Sequence, residues 1–358
     1  MSVAISVKEN IRMLEESVRS FIKGTGGVAH ARKSRFVEPG FDMHVFKTMC
    51  EMGWTGLLVP EDKGGSGLGM QETVCLVRHL GAALSPEPLI QSMVAATLLE
   101  DGLVGEVLTG QKLYLFAWQE FVNSLNGAEV AKTTFVNGKL NGRKVFVPYA
   151  KAADALVVTT REGAVRVNTS AVGVGVESHP TQDGGTFCNV AFDNVDATLL
   201  ALVNDSHLAL VEEQTTLATA AYLLGVASQA FDIALEYLSI RKQFNVPIGS
   251  FQALQHRMSD LELLILLSEA CVNNAAMVVD SGSDLKAKQT AVSRAKARCS
   301  DTALLVTRQA IQLHGAIGYT DECDIGLYLR KAMTWANLYG SATAHRERFS
   351  ALTAEFSN

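Results

Sequence analysis

The sequence lacks the features that mark metal, nucleic-acid and membrane proteins. Its six cysteines are scattered and form no C-x-x-C pair, and its eight histidines form no H-x-x-x-H pair. No zinc site or redox dithiol is therefore indicated, and we expect no metal site. The net charge of −6 gives none of the basic excess typical of proteins that bind nucleic acid. No segment approaches about 18 uninterrupted apolar residues, so no membrane span is expected.

The N-terminus also lacks the apolar core of a secretion signal, because Lys8, Glu9 and Asn10 come too early in it. We therefore expect a cytoplasmic protein. Its 358 residues, 48% of them hydrophobic, suffice for two or three domains with a large core.

The spacing of apolar residues divides the chain into three regions. Helical periodicity covers residues 1–108, alternation with period two covers 109–203, and helical periodicity returns over 204–358. Asn137-Gly138 is a strong hairpin signal within the middle region. The predicted fold class is mostly α with an inserted antiparallel β domain: an N-terminal helical domain, a middle β domain and a C-terminal helical bundle.

A helical hairpin is predicted within the last region. Apolar residues recur at helical spacing from Leu223 to Leu238 and again from Phe251 to Leu264. Pro247 breaks the helix between the two runs because it fixes φ and has no N–H. Arg241, Lys242 and Gln243 are expected at the end of the first helix. A cation there is favourable in itself, so a capping charge is the simplest role for Arg241.

Three segments resemble, in the same order, the signatures of the flavoprotein acyl-CoA dehydrogenase family. The family's R-x-x-F-G-x-x-I-x-x-F-Q is matched, with Asn245 in place of the glycine, by Arg241, Phe244, Ile248, Phe251 and Gln252. Residues 312–320 resemble its Q-x-x-G-G-x-G-[YF] loop, with Ala316 in place of the second glycine. Residues 330–341 resemble the segment that contains the family's Y-E-G-T. The resemblance spans almost the whole chain and implies the family's fold.

The resemblance also implies FAD as cofactor and an acyl-CoA that is desaturated between its α and β carbons. In relatives the equivalents of Arg241, Phe244 and Gln312 reach a flavin held mainly by a neighbouring subunit, which requires at least a dimer. Arg241 would meet the pyrophosphate, for which a guanidinium is well suited. The residues assigned to FAD are Arg241, Gln243, Phe244, Gln252, Gln312, Gly315, Ala316 and Ser341.

The half of the flavin site that belongs to the middle domain departs from the family. Relatives read T-E-P-x-x-G-S-D on one strand, whereas residues 118–123 keep only Glu120. Relatives also present W-x-T or W-x-S to the flavin ring, where this chain has Phe146-Val147-Pro148. Pro148 has neither a hydroxyl nor an N–H. We interpret the chain's own flavin-ring site as degraded and its contribution to a neighbour's site as retained.

The catalytic base is missing from both family positions. The glutamate of Y-E-G-T aligns with Tyr339, and the alternative position of branched-chain relatives aligns with Thr215. A tyrosine with a pKa near 10 is a poor base for removing an α-proton. Glu213 lies nearby and is the candidate surrogate base. The alternative for Glu213 is a solvated carboxylate near a helix start.

The predicted function is that of a base-lacking subunit in a heteromeric FAD-dependent acyl-CoA dehydrogenase. Its partners would be an acyl-CoA, a catalytically complete second chain in a two-plus-two tetramer, and an electron-transfer acceptor. The sequence of residues 344–348, A-H-R-E-R, resembles the sequences of the bacterial branch that degrades steroid side chains. The alternatives are a homomeric dehydrogenase that uses Glu213 and a non-catalytic acyl-CoA-binding scaffold.

Overall fold

The N-terminal region is helical. A computed structural model describes the backbone of residues 2–125 and 131–354, and the side chains of these residues except 2–6 and 101. The helix α3 begins where the Asp42 carboxylate accepts the N–H of His44 at 2.8 Å, and it ends at Glu51, shortly before Gly53. The helices of this region are α1 (Ser2–Thr25), α2 (Val28–Ser34), α3 (Met43–Glu51), α4 (Met70–Ala82), α5 (Leu89–Thr97) and α6 (Asp101–Leu108).

The middle region contains two sheets. Its strands are β1 (Tyr114–Ala117), β2 (Thr134–Val136), β3 (Lys139–Pro148), β4 (Ala155–Thr160), β5 (Gly163–Asn168), β6 (Val174–Pro180), β7 (Thr186–Asp196) and β8 (Thr198–Leu199). The sheet orders are β1-β4-β5-β8 and β2-β3-β7-β6. Asn137 and Gly138 close the β2–β3 hairpin with φ of 51° and 79°, which confirms the turn prediction. The pairing is antiparallel except between β1 and β4, which are parallel.

The C-terminal region is a helical bundle. Its helices are α7 (Asp205–Ile240), α8 (Gln252–Asp280), α9 (Leu285–His314), α10 (Ile325–Trp335) and α11 (Ala342–Thr353). Helix α7 is the centre of the fold and packs closely against α4. A Cβ on Gly225 would lie 1.9 Å from the carbonyl oxygen of Arg78, and one on Gly81 would lie 2.1 Å from that of Tyr222. Only glycine permits this approach of the two helix backbones.

Among the helices that the structure describes, α7 and α8 are long and apolar enough to cross a membrane by length and composition alone. The most apolar stretch of α7 is 72% buried inside the chain, as expected of a core helix. The corresponding stretch of α8 is only 33% buried. Its exposed apolar residues Leu263, Leu266 and Leu267 are spaced i, i+3, i+4 and form one stripe. We name these three residues the α8 stripe. A stripe of this kind is typical of a protein–protein contact.

Candidate functional site

The first predicted motif forms a tight hairpin beyond the end of α7. The helix ends at Ile240, so Arg241 is its C-cap, with extended backbone. The expectation that Lys242 and Gln243 are helical is wrong, because residues 242–243 pair as a short strand, β9, with Val246–Pro247, β10. Phe244 and Asn245 close this turn with φ of 51° and 66°. Asparagine tolerates the left-handed conformation better than most residues, which accounts for its place at the family's glycine.

The side chains of this hairpin are directed to solvent. Arg241, Gln243 and Gln252 are exposed, and Phe244 is 87% exposed. Phe244 contacts the ring edge of Phe251, with centroids 6.3 Å apart, and that residue immediately precedes Gln252. An exposed guanidinium beside an exposed aromatic ring is suited to a ligand that combines phosphate with flat rings.

The second predicted motif begins in the last turn of α9. Gly315 ends the helix with φ 66° and ψ −142°, a conformation that side-chain-bearing residues rarely adopt, and its N–H is bonded to the carbonyls of Gln312 and Ile311. Ala316 lies in the following 3-10 turn, Gly315–Tyr319, with a negative φ, so the backbone there does not require glycine. Gln312, Gly315 and Ala316 are all exposed.

The two motifs are joined through Tyr237 and His314. Their rings stack with centroids 4.3 Å apart and an interplanar angle of 21°. The Tyr237 hydroxyl donates to the His314 carbonyl at 3.4 Å. One turn later, the Arg241 N–H donates to the Tyr237 carbonyl at 2.9 Å. This contact places seven of the eight predicted cofactor residues on adjoining exposed segments. We name them the motif surface: Arg241, Gln243, Phe244, Gln252, Gln312, Gly315 and Ala316.

The eighth predicted cofactor residue, Ser341, lies elsewhere. Its hydroxyl caps α11 by accepting the N–H of Ala344 at 3.2 Å, and its own N–H donates to the Asn123 side chain at 3.0 Å. Ser341 therefore belongs to the junction between the middle domain and the bundle, where the family resemblance locates the flavin ring of the chain's own site.

Buried side chains fill this junction between the middle domain and the bundle. Tyr339 is 2% exposed and lies 5.5 Å from the Trp118 ring, centroid to centroid. Gln91 donates to the Tyr339 hydroxyl at 3.3 Å, and burial raises the pKa of Tyr339. The walls of an open slot are exposed to solvent, whereas Trp118, Gln119 and Tyr339 are no more than 3% exposed. The motif surface is therefore open to a ligand, whereas Trp118 and Tyr339 fill the position where the family resemblance locates the flavin ring.

The backbone of the Tyr339 turn is held from both sides. Tyr339 has a φ of 59°, which is unusual for an aromatic residue, and Gly340 has a φ of 103°. Buried Lys296 donates to the carbonyls of Ala336 and Gly340 at 2.8 and 3.1 Å, and burial lowers the pKa of Lys296 to about 7. His345 Nε2 donates to the Tyr339 carbonyl at 2.9 Å, and burial lowers the pKa of His345 to about 3. A neutral imidazole thus fixes the turn.

Glu120, the one residue kept from the family's middle-domain strand, is an anchor within the fold. Its carboxylate accepts the N–H groups of Lys132 and Thr133 at 2.7 and 3.0 Å. It also pairs with Lys144 Nζ at 2.8 Å, with both side chains buried. Burial lowers the pKa of Lys144 to about 8, although Glu120 opposes this shift. These bonds occupy the carboxylate within its own domain.

The two candidate base positions differ. Thr215 is buried, and its hydroxyl donates to the carbonyl of Val211 in the preceding turn. Glu213 is 2% exposed and pairs with Arg348 of α11, which also donates to the Leu125 carbonyl at 3.3 Å. The interpretation of Glu213 as a solvated carboxylate is therefore wrong. Burial raises the pKa of Glu213, and the Arg348 guanidinium opposes this shift. Glu213 Oε2 has no hydrogen-bond partner among the residues that the structure describes.

Sequence reasoning missed four residues of this region: Tyr237, Lys296, His314 and Arg348. Each one acts through a partner distant in the sequence, so local periodicity could not reveal it. The only available signal was that two of them, Lys296 and His314, are polar residues on buried helical faces. Such a position implies a specific hydrogen-bond partner.

Comparison with known proteins finds one family. The models of the acyl-CoA dehydrogenase N-terminal and C-terminal domains match residues 8–102 and 213–351. The acyl-CoA dehydrogenase IpdE2 of Mycobacterium tuberculosis is 30% identical over 342 residues, which cover 93% of this chain and 94% of that protein. IpdE2 of Mycolicibacterium smegmatis is 27% identical over 355 residues, with coverages of 98% and 99%.

Comparison with solved structures leads to the same family. A variant of the Tcur3481–Tcur3483 steroid ACAD has a TM-score of 0.88 and 26% identity, with 98% of this chain and 99% of that chain covered. The ChsE4–ChsE5 complex from Mycobacterium tuberculosis has a TM-score of 0.87 at 22% identity, with coverages of 97% and 98%, and supports the fold. The chain therefore belongs to the acyl-CoA dehydrogenase family of FAD-dependent acyl-CoA oxidoreductases.

Proposed function

We propose that this chain is the base-lacking subunit of a heteromeric acyl-CoA dehydrogenase. It completes the FAD site of a second, catalytically complete chain in a two-plus-two tetramer. One contrast carries the proposal: the motif surface is exposed, while the chain's own ring site is closed by Tyr339 and Trp118. A subunit built in this way serves a neighbour's flavin and has no room for the ring of its own.

Each residue of the motif surface has a role in this proposal. Arg241 forms a charge-assisted bond to the pyrophosphate of the partner's FAD. Gln243, Gln252 and Gln312 supply amide donors and acceptors around it. Gly315 and Ala316 allow the backbone to approach the dinucleotide closely, and Phe244 covers it with an apolar face. FAD supplies the hydride acceptor, and the partner supplies the carboxylate that removes the α-proton.

The α8 stripe supports a subunit contact. Leu263, Leu266 and Leu267 are 50–57% exposed on a helix that is otherwise part of the bundle. Full burial of an exposed leucine contributes about 1.5–3 kcal/mol, so covering each of these half-exposed side chains would contribute about half of that. Two of the similar solved structures, ChsE4–ChsE5 and Tcur3481–Tcur3483, have names that combine two different chains, which supports a heteromer.

The substrate is proposed to be a steroid side-chain acyl-CoA or a similarly bulky thioester, because the Tcur3481–Tcur3483 relative is a steroid enzyme. The electrons would pass from FAD to an electron-transfer acceptor in the cytoplasm. Turnover of a steroid-derived acyl-CoA should exceed that of a short straight-chain acyl-CoA in the assembled enzyme. A preference for the short substrate would remove this part of the proposal.

The test is co-expression with a second acyl-CoA dehydrogenase chain. The chain to use is the one that carries the Y-E-G-T glutamate and whose gene lies nearest to the gene of this chain. FAD per tetramer and acyl-CoA oxidation are then measured. We expect two FAD per tetramer, and turnover only when both chains are present. A homotetramer of this chain with four flavins and full turnover would overturn the proposal.

A second candidate is a homomeric dehydrogenase that uses Glu213 as base. The state of Glu213 favours it: the carboxyl is buried, its pKa is raised, and one of its oxygens has no partner within the described residues. The visible spectrum of the purified chain separates the candidates. A chain that is yellow and reducible alone supports the homomer, and one that is yellow only with a partner supports the heteromer. A chain that stays colourless under every condition is a non-catalytic scaffold.

A further inference from the structure

We propose that Tyr237 and His314 are positioning residues that hold the two halves of the motif surface in register for the partner's FAD. The inference rests on the proposed function. Neither residue is part of the motif surface, and neither is assigned to the cofactor. Their role is to fix the ends of two helices relative to each other.

The two halves come from segments that are far apart in the chain. Arg241 follows α7, and Gln312 with Gly315 ends α9, so a pyrophosphate bound by both must meet them at a fixed separation. The four strand residues of hairpin β9–β10 are all exposed. Binding sites lose affinity when their groups are displaced by about 1 Å. A rigid link at the base of both segments is therefore required.

Tyr237 provides this link through three contacts. Its ring stacks on His314 at 4.3 Å, its hydroxyl donates to the His314 carbonyl, and its own carbonyl accepts the Arg241 N–H. The His314 carbonyl is one of the last in α9, where the helix itself supplies no donor. Tyr237 thus connects the end of α9 to the first residue beyond α7.

His314 is itself held in one orientation. Its Nδ1 lies 2.7 Å from the Ala310 carbonyl, and because a carbonyl only accepts, Nδ1 carries the hydrogen. The side chain is buried under the Tyr237 ring. The next residue is Gly315, whose N–H closes the helix end. The fixed ring therefore holds the last turn of α9, from which the glycine loop starts.

Helix α7 offers a matched control. Tyr222 stacks on Trp335 with centroids 4.2 Å apart at 19°, and its hydroxyl donates to the Ser85 carbonyl at 2.9 Å. This pair has a similar stacking geometry, and its hydroxyl also donates to a carbonyl, although that carbonyl belongs to a third residue. The pair lies in the interior, about four helical turns from Tyr237. Replacing Tyr222 tests the loss of a stack that is purely structural.

The experiment measures FAD dissociation from the assembled enzyme by flavin fluorescence, together with thermal stability. We expect Tyr237→Leu to raise the FAD dissociation constant by about fivefold or more, because a stacked ring pair and its pre-organisation are lost. Tyr237→Phe keeps the stack and should stay within about threefold of the wild type. Tyr222→Leu should lower thermal stability without a comparable loss of FAD affinity.

A second variant keeps the test independent of one substitution. His314→Leu removes the other ring and should produce a similar loss, and the double variant should add little to either single one, since both break the same contact. Equal effects of Tyr237→Leu and Tyr222→Leu on FAD affinity would overturn the positioning role, as would additive single effects.

Arg241→Ala in the same enzyme separates the two levels of the proposal. If Arg241→Ala weakens FAD binding and Tyr237→Leu does not, the positioning role fails and the proposed function stands. If Arg241→Ala itself leaves FAD affinity unchanged, the contribution to a partner's flavin fails, and with it the role of Tyr237.

Discussion

Replacing Glu213 by glutamine distinguishes a structural carboxylate from a catalytic one. The side chains of Glu213 and Arg348 are 2% and 9% exposed, so the pair is almost free of solvent screening. Glu213→Gln leaves the guanidinium buried without its counter-charge. Removing one partner of a buried pair costs about 3–5 kcal/mol, whereas replacing both with apolar residues of similar volume is often near neutral.

The measurement is urea unfolding, followed by the fluorescence of the three tryptophans, Trp54, Trp118 and Trp335, which are all buried. We expect Glu213→Gln to lower the free energy of unfolding by about 3–5 kcal/mol, and the double variant Glu213→Leu with Arg348→Met, which replaces both charges with apolar side chains, to restore most of it. The double variant, assembled with the partner chain, should also retain turnover within about tenfold of the wild type.

Two results would refute this reasoning. If Glu213→Gln leaves unfolding unchanged, the ion pair does not contribute as the burial implies. If the double variant is stable but turnover falls by about two to four decades, Glu213 is the catalytic base, because that is the usual effect of losing one. The homomeric candidate would then replace the heteromeric proposal.

Three further predictions concern Arg241, Tyr339 and Lys296. Arg241→Ala should weaken FAD binding by about one to two decades while the chain stays folded, since a charge-assisted bond contributes about 1.5–3 kcal/mol; unchanged FAD affinity would contradict the assignment. Tyr339→Phe should change turnover by less than about tenfold, and a loss of two or more decades would reinstate Tyr339 as the base. Burial lowers the pKa of Lys296 to about 7, so the unfolded chain binds this proton more tightly. Stability should therefore gain up to about 1.4 kcal/mol per pH unit between about pH 7 and 10, and Lys296→Met should remove that gain. An identical pH profile in that variant would show that Lys296 is not the source.

The features predicted correctly from sequence are those encoded within a few residues. The apolar spacing of residues 223–238 gave the buried face of α7, and Asn137-Gly138 gave the β2–β3 turn. The order of helical, β and helical regions follows from the change of period alone. The parallel pairing of β1 with β4 was not predictable, because the intervening hairpin belongs to the other sheet and leaves no local signal.

The contacts that decide the site join distant residues. Arg348 lies 135 positions from Glu213, and the carbonyl that accepts from Tyr237 lies 77 positions away. The sequence therefore supported a solvated Glu213 as well as a buried one, and only the fold separates the two. The helical placement of Lys242 and Gln243 failed for a different reason, since the left-handed turn at Phe244–Asn245 starts a hairpin that helical spacing cannot represent.

The energetics of the β9–β10 hairpin favour a partner over an isolated chain. Phe244 holds a left-handed backbone conformation, which costs about 1–2 kcal/mol. Its ring is 87% exposed and so lacks most of the stabilisation of about 1.5–3 kcal/mol that burial would contribute. Tyr339 has the same backbone strain but is buried against Trp118, so packing within the chain offsets it. Phe244 has no such compensation among the contacts of the described residues beyond the edge of Phe251. A ligand that covers Phe244 and binds Arg241 would supply it, and a flavin held mainly by another subunit meets both requirements.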